Sequence, residues 1–242
     1  MSLLQLAIIA LIQGITEWLP ISSSAHIVLT AGLFGISGED EVMVNAMAHL
    51  GTLFALLVFF WQDTGRIFKG SFELIGIGKR NGRLSSSGRL ALLILVATPP
   101  GLLAGLAHEM WPVLDGLRSP YVIAGATIIF GLALWWADVV GSSQRKEAEM
   151  KVADAAFIGL TQAIAALIPG VSRSGITMTA ARALGFERTE AARFGMLCGI
   201  PVLAAAGGYA CLKLATAEPG EVAVSLSAGL IVAFLSFFSA LI

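Results

Sequence analysis

Apolar residues fill long runs of this chain, and the length of each run decides what it can do in a bilayer. A spanning helix needs about 20 mostly apolar residues to cross ~30 Å of hydrocarbon. Five stretches meet that need: Val42 to Trp61, Leu90 to Ala107, Tyr121 to Val140, Ala191 to Cys211 and Val222 to Ile242. Pro99 and Pro100 predict a kink in the second, and Pro201 in the fourth. Gly101 and Gly105 form a GxxxG spacing, which reads as close helix packing. Two other regions break sooner. Leu3 to Trp18 makes roughly 24 Å of helix at ~1.5 Å per residue. Pro20 interrupts it, and a short run from Ile27 to Phe34 follows. Ala155 to Ile168, then Pro169, then Ile176 to Leu184 repeat that arrangement. A re-entrant hairpin, entering and leaving on one side, fits these lengths better than a span. Irregular backbone at membrane depth is tolerated only inside protein or beside a wet cavity.

The two broken regions read as copies of each other. At an offset of 149 residues, without gaps, Gln13 meets Gln162, Pro20 meets Pro169 and Ser23 meets Ser172. Further identities fall at Ala7, Ile9, Leu11, Ile15, Ile27, Thr30 and Ala31. A repeat of short, Pro- and Gly-broken apolar segments points to a site between two halves of a membrane protein. The expected fold is an all-α integral membrane protein, with an inverted-topology repeat, two re-entrant helix hairpins and about five full transmembrane helices. It forms one membrane domain over 1–242. The first half, 1–140, holds the re-entrant 3–34, and the second, 153–242, holds the re-entrant 155–184.

Charge tests this layout. Arg66, Lys69, Lys79, Arg80, Arg83 and Arg89 outnumber Asp63 and Glu73 between Gln62 and Arg89, so that loop belongs on the cytoplasmic side. Arg145, Lys146 and Lys151, and then Arg182, Arg188 and Arg193, fall on the same side if the second broken region is re-entrant. Glu39, Asp40, Glu41, Glu218 and Glu221 fall on the other. The first repeat then begins outside and the second inside. Composition agrees with a membrane protein: 57% of residues are hydrophobic and 13% charged, where a soluble domain carries about 25% charged. The net charge of −1 offers nothing to nucleic acid. Cys198 and Cys211 sit in apolar segments without metal spacing and read as core filler. Leu3 to Ile12 lacks the basic n-region of a cleavable signal peptide.

Glu17, His26 and Arg173 lie inside the broken regions. A charge at the bilayer centre costs at least about 2.5–3.5 kcal/mol, so all three should face one polar cavity. The plainer alternative is an ion pair of Glu17 with Arg173 that only locks the halves together. That leaves unexplained the hydroxyls beside both groups: Ser22, Ser23 and Ser24 in one tip, Ser172, Ser174 and Thr177 in the other. Pro20 and Pro169 read as first-turn residues of the following helices, whose N-termini would form an anion cradle. Gly170 and Gly175 let backbone approach an anion, and the Arg173 fork matches phosphate. A polyphosphate group is the best-matched ligand. Glu17 suits such a site if a divalent cation, Mg²⁺ or Ca²⁺, accompanies the phosphate. His26 has a reference pKa of about 6.5, suited to moving protons or attacking phosphorus. His49, His108, Glu109 and Asp138 read as structural or interfacial. The matched amides Gln13 and Gln162 read as caps or interface pairs, with Gln13 alternatively joining the cavity.

At these residues the chain resembles a family. The stretch Q-G-I-T-E-W-L-P-I-S-S-S-A-H, Gln13 to His26, is similar to the first signature of the bacterial undecaprenyl-diphosphate phosphatase, or bacitracin-resistance, family. P-G-V-S-R-S-G-I-T, Pro169 to Thr177, resembles its second signature without a mismatch, and N-A-M-A-H-L-G-T-L-F-A resembles its third helix. The resemblance implies a ten-helix membrane fold with two re-entrant pairs, with one helix after Ile242 beyond the nine segments read above. It implies removal of the terminal phosphate from undecaprenyl diphosphate, recycling the lipid carrier of cell-wall synthesis. It further implies a divalent cation and a site in the bacterial inner membrane, open toward the periplasm. The first signature implicates Gln13, Glu17, Ser23 and His26, with Glu17 and Gln13 toward the metal. The second implicates Ser172, Arg173, Ser174 and Thr177. Gln13 stands where the family often has Glu, and Ala25 where it usually has Gly. Either Ser23 or His26 attacks phosphorus, or His26 activates water. The expected partners are a polyprenyl diphosphate and membrane lipid, with the oligomeric state open, a homodimer included. The rival reading is a transporter or flippase that carries undecaprenyl phosphate in the same cradle.

Overall fold

A computed structural model describes residues 1–78, 82–111, 116–117, 119–142, 144–218 and 222–242, leaving aside the side chain of Glu109. Lys79, Arg80 and Glu221, used above in the charge count, lie outside the described residues. Among the described residues the named elements are ten α-helices and the 3₁₀ turn Glu147–Glu149, with no strand. They are α1 (Leu3–Glu17), α2 (Ser23–Leu33), α3 (Gly38–Phe59), α4 (Trp61–Leu74), α5 (Ser86–Met110), α6 (Pro120–Val140), α7 (Val152–Leu167), α8 (Arg173–Ala183), α9 (Arg188–Thr216) and α10 (Leu226–Ser239).

Four of them, α3, α5, α6 and α9, are long and apolar enough to cross a membrane, and the protein is a multi-pass membrane protein. The fifth expected span, Val222 to Ile242, is corrected: its helix is α10, whose 14 residues are too few to cross ~30 Å. α4 is not among the nine expected segments; it arises in the loop between the first two spans. It is amphipathic: Asp63, Gly70 and Glu73 are buried while Phe68 and Phe72 are exposed. Its buried face lies on the start of α5, where Glu73 accepts from the Ser85 N–H at 2.8 Å and its hydroxyl at 2.6 Å.

The hairpins α1–α2 and α7–α8 match the two sequence copies. α1 and α7 have 15 and 16 residues, about 22–24 Å at ~1.5 Å per residue, short of a ~30 Å core. Each hairpin has its own apolar core. Ile9, Ile27, Met43, Met47 and Val232 join the first to α3 and α10. Leu93, Ile158, Ala181 and Leu197 join the second to α5 and α9. A third cluster, with Leu53, Met178 and Leu203, bridges α3, α8 and α9. Glycine sets the closest approach in both halves. A Cβ at Gly159 would stand 2.6 Å from the Ala97 backbone of α5, and one at Gly14 2.7 Å from the Ala240 backbone beyond α10.

The 29-residue α9 orients the two hairpins. Near its C-terminus Lys213 pairs with Glu39, and Asp40 accepts from the N–H groups of Ala223 and Val224. That is the open end of the first hairpin, just past α2. Near its N-terminus Arg193 pairs with Asp63 and, at 2.8 Å, with Glu147. Beside it Arg145 holds Asp154 at 2.5 Å, and Arg182 holds Asp138 at 2.9 Å. That is the open end of the second hairpin. The hairpins therefore enter the bundle from opposite ends. The structural reading of Asp138 holds. Cys198 is buried and Cys211 sits 3.6 Å from the Met47 sulfur, both unoxidised.

Asp63 is the hub of the basic end. Hydrogen bonds from Arg193, and then from Arg66, hold its carboxyl below the ordinary value of 3.8. Its contribution to stability is therefore complete above that value and lost as pH falls through the lower folded value. Asp63→Asn should lower the Tm of the detergent-solubilised protein at pH 7 by about 2–4 °C, for about 1 kcal/mol. Its acid limb should also be shallower. An unchanged difference from the parent protein between pH 7 and pH 3 would disprove this role.

Candidate active site

Both tips are built the same way. α1 ends at Glu17, and the chain turns through Trp18, Leu19 and Pro20 before Ser22 caps α2. α7 ends at Leu167, and Ile168 is extended (φ −115°, ψ 107°), as a residue before proline prefers. Gly170 turns the chain with φ +91°, and Ser172 caps α8. The prolines thus close the first helix of each hairpin and do not open the second, as the sequence suggested. The opening position needs a side-chain oxygen, and serine supplies it. Ser22 sits in the left-handed region, φ 64°, unique for a non-glycine among the described residues. Strain of that kind, of order 1–3 kcal/mol, gathers at functional sites.

The tips touch through Glu17. Its Oε1 accepts from Arg173 Nη2 at 3.0 Å. Its Oε2 accepts from Ser23 Oγ at 2.6 Å and from Gln13 Nε2 at 3.2 Å. The same oxygen lies 3.3 Å from His49 Nε2. Ser23 Oγ is also 3.2 Å from His49 Nε2. His49 Nδ1 lies 2.8 Å from the Asn45 carbonyl, which can only accept, so Nδ1 carries hydrogen. In the neutral ring Nε2 is then the basic nitrogen, aimed at Ser23. Thr52 completes this wall, accepting from Gln13 at 3.2 Å and donating to the His49 carbonyl at 3.1 Å.

A cavity of about 250 Å³ stands over this cluster. Its floor is Glu17, Ser22, Ser23, Ser24, His49, Ser172, Arg173 and Ser174. Its walls climb α3 through Asn45 and Val42 and α9 through Val202 and Ala206. Both ladders run toward the start of α3 and the end of α9, the end that carries Glu39 and Asp40. The first two N–H groups of α2 (Ser23, Ser24) and of α8 (Arg173, Ser174) precede any intrahelical partner. All four residues line the cavity, so two helix N-termini face it. Arg173 lies flat on α9 over Gly199, where a Cβ would stand 1.7 Å from Nη1.

Other expected residues are placed elsewhere. Thr177 is fully buried, and its hydroxyl donates to the carbonyls of Arg173 and Ser174, both at 2.9 Å. Its task is to brace α8. The Gly170 carbonyl accepts from Thr127 at 3.2 Å, and its Cα packs on Ile123. Gly175 lets the tips abut, since a Cβ there would stand 3.2 Å from the Pro20 carbonyl. None of these three lines the cavity. Neither does His26, whose Nδ1 bonds the Ser22 carbonyl at 2.8 Å and ties down the strained turn. His49, read from sequence as structural, stands where His26 was expected. Asn45 and Gly199 were also missed. The signal for Asn45 and His49 was present: two polar residues one turn apart on an otherwise apolar span mark a functional face.

The donor set also bears on a divalent cation. Among the described residues no group of three or more His, Cys, Asp or Glu is placed to hold a metal. Glu17 is the sole carboxylate on the cavity wall among the described residues. Asn45 Oδ1 and Gln162 Oε1, from residues of the cavity wall, and Gln13 Oε1, from the residue bonded to Glu17, are buried oxygens without a hydrogen-bond partner. One carboxylate with neutral oxygens fits a hard cation that takes its remaining ligands from phosphate and water.

Residues 6–242 match the family model described as Bacitracin resistance protein BacA. A protein of Hyphomonas neptunium named undecaprenyl-diphosphatase is 52% identical over 242 residues, covering 99% of this chain and 85% of the relative. Proteins of the same name from Maricaulis maris and Jannaschia sp. are 46% and 43% identical, covering 99% and 100% of this chain and 87% of each relative.

Gly199→Ala should push the Arg173 guanidinium off α9 and lower the turnover of a diphosphate ester about 100-fold, as loss of one charged transition-state contact does. Released phosphate measures it. Wild-type turnover in a folded Gly199→Ala protein would show that Arg173 does not act from this position.

Proposed function

We propose, from the premise that this chain belongs to the Bacitracin resistance protein BacA family, that it hydrolyses undecaprenyl diphosphate to undecaprenyl phosphate and phosphate. The observation that carries this reading is the contact of Ser23 with both Glu17 and His49 beside Arg173, on the floor of a cavity made by two helix starts. Arg173 and the N–H groups at the starts of α2 and α8 bind the diphosphate. Ser22, Ser24, Ser172 and Ser174 offer hydroxyls around it.

Ser23 Oγ attacks the terminal phosphorus. The Ser23 hydroxyl turns from Glu17 to His49 Nε2, which takes its proton, and His49 is oriented by the bond from Nδ1 to the Asn45 carbonyl. The bridging P–O bond breaks, and undecaprenyl phosphate leaves with the proton that His49 gives to its oxygen, which restores the neutral ring. Water, deprotonated by His49, then attacks the phosphoserine and frees inorganic phosphate. Glu17 holds Ser23, and Arg173 stays paired with Glu17 while its other N–H groups follow the charge that builds on the phosphoryl oxygens. His26 supports the turn that presents Ser23. Glu17, Gln13 Oε1 and Asn45 Oδ1 are the groups that would hold Mg²⁺ or Ca²⁺. When bound, the cation neutralises charge on the diphosphate.

The cavity's orientation favours work at the outer leaflet of the bacterial inner membrane. Arg66, Arg145, Arg182 and Arg193 mark the cytoplasmic end by the positive-inside rule, and the cavity climbs away from them toward Glu39 and Asp40. Carriage of undecaprenyl phosphate without cleavage has no use for a serine hydroxyl held 2.6 Å from a carboxylate and 3.2 Å from an imidazole.

Purified protein should release phosphate from undecaprenyl diphosphate with Mg²⁺ or Ca²⁺ present and stop on chelation. Ser23→Ala should reduce release to background, and His49→Ala should lower kcat about 10²–10⁴-fold. Arg173→Lys should cost about 100-fold, because an ammonium cannot reproduce the planar fork. A Ser23→Ala enzyme with near-wild-type turnover would refute the serine mechanism.

A further inference from the structure

The polar floor accounts for the phosphates but not for the long apolar chain attached to them. Gly101 of α5 meets α9 at the cavity wall, where a Cβ would lie 3.5 Å from Val202 Cγ2 and 3.2 Å from Gln162 Cβ. One turn further along α5, a Cβ at Gly105 would have nothing within 4 Å, α9 included. α5 and α9 both start at the basic end, so they climb together. The two helices therefore part beyond the contact of Gly101 with Val202. Ala206 belongs to the cavity wall and is itself exposed, so the cavity reaches the outer surface there. Beyond it the same two helices present Leu106 and Leu212 outward.

We propose that the prenyl chain of the substrate leaves the cavity sideways through the crevice between α5 and α9, crossing a sill formed by Gly101 and Ala206. This rests on the hydrolase reading. The crevice is continuous with the proposed phosphate site, and its sill residues carry no polar side chain. A chain of this kind stays in hydrocarbon while its head group enters a wet cavity. A lateral slot at head-group depth lets both happen at once. Glycine and alanine supply the width, since each larger side chain here would point into the path.

Gly105→Phe and Ala206→Phe place bulk in open space, where the fold has room for it. Each should lower the ratio of kcat/KM for undecaprenyl diphosphate to that for farnesyl diphosphate about tenfold, mostly through KM for the long substrate. An unchanged ratio, or equal loss on both substrates, overturns the proposal. If the parent protein releases phosphate from neither substrate, the hydrolase reading fails. The crevice is then tested by photo-crosslinking with a benzophenone-tagged polyprenyl phosphate. Labelling on α5 and α9 that competes with undecaprenyl phosphate supports the path. Labelling elsewhere, or equal labelling by a photoreactive phospholipid without competition, overturns it.

Discussion

A carboxylate and a guanidinium 3.0 Å apart hold the two halves of this protein together at their tips, and the rest of the site follows from how that pair is made tolerable. The Glu17 and Arg173 side chains are only 7% and 15% exposed. Removing such charges from water costs several kcal/mol per ion unless further hydrogen bonds satisfy them. Ser23, Gln13 and His49 crowd the same carboxylate, and the Gly195 carbonyl lies 3.4 Å from the guanidinium. The groups that stabilise the pair are thereby gathered around one point. Because each charge comes from a different hairpin, neither hairpin has a satisfied tip without the other. The separate apolar cores of the two halves are coupled by this contact and by the bridge of α3, α8 and α9.

The repeat explains why there is one such point and not two. At the offset of 149, Glu17 corresponds to Ala166, Arg173 to Ser24 and His49 to Cys198. The acid comes from one copy and the base from the other, and each copy's counterpart is small and uncharged. Ala166 and Ser24 line the same cavity, where their size leaves room for a ligand. The matched amides diverge likewise. Gln13 donates to Glu17 and Thr52, whereas Gln162 donates to the Ala97 carbonyl at 2.8 Å and ties α7 to α5. Duplication supplied the two dipping hairpins, and divergence at a few positions on them supplied the chemistry.

The ends of the bundle do different work. At the basic end, charges consume one another: Asp63 with Arg193 and Arg66, Glu147 with Arg66 and Arg193, Asp138 with Arg182 and Arg188. α4 lies across that end as an amphipathic strut. On the other side of the tips lies the cavity, walled by α3, α5 and α9.

Much of this was legible in residue order. Run lengths located four of the five expected spans and the short helices of both hairpins, since hydrocarbon thickness is a fixed ruler, but overestimated the helix in Val222 to Ile242. Pro20, Pro169 and the serines after them located the tips, and the intramembrane charges Glu17 and Arg173 announced their own pairing. Sequence distance failed where helix rotation decides. His26 is nine residues from Glu17 along the chain, yet its ring turns back to the Ser22 carbonyl. His49, two helices on, reaches both Glu17 and Ser23. Thr177 fits the phosphate motif but faces its own helix, and Gly199 matters only because Arg173 lies across it. Local periodicity determines that a helix forms and how long it is. Which of its faces meets a neighbour is set by the packing of distant segments, and only the assembled bundle decides that.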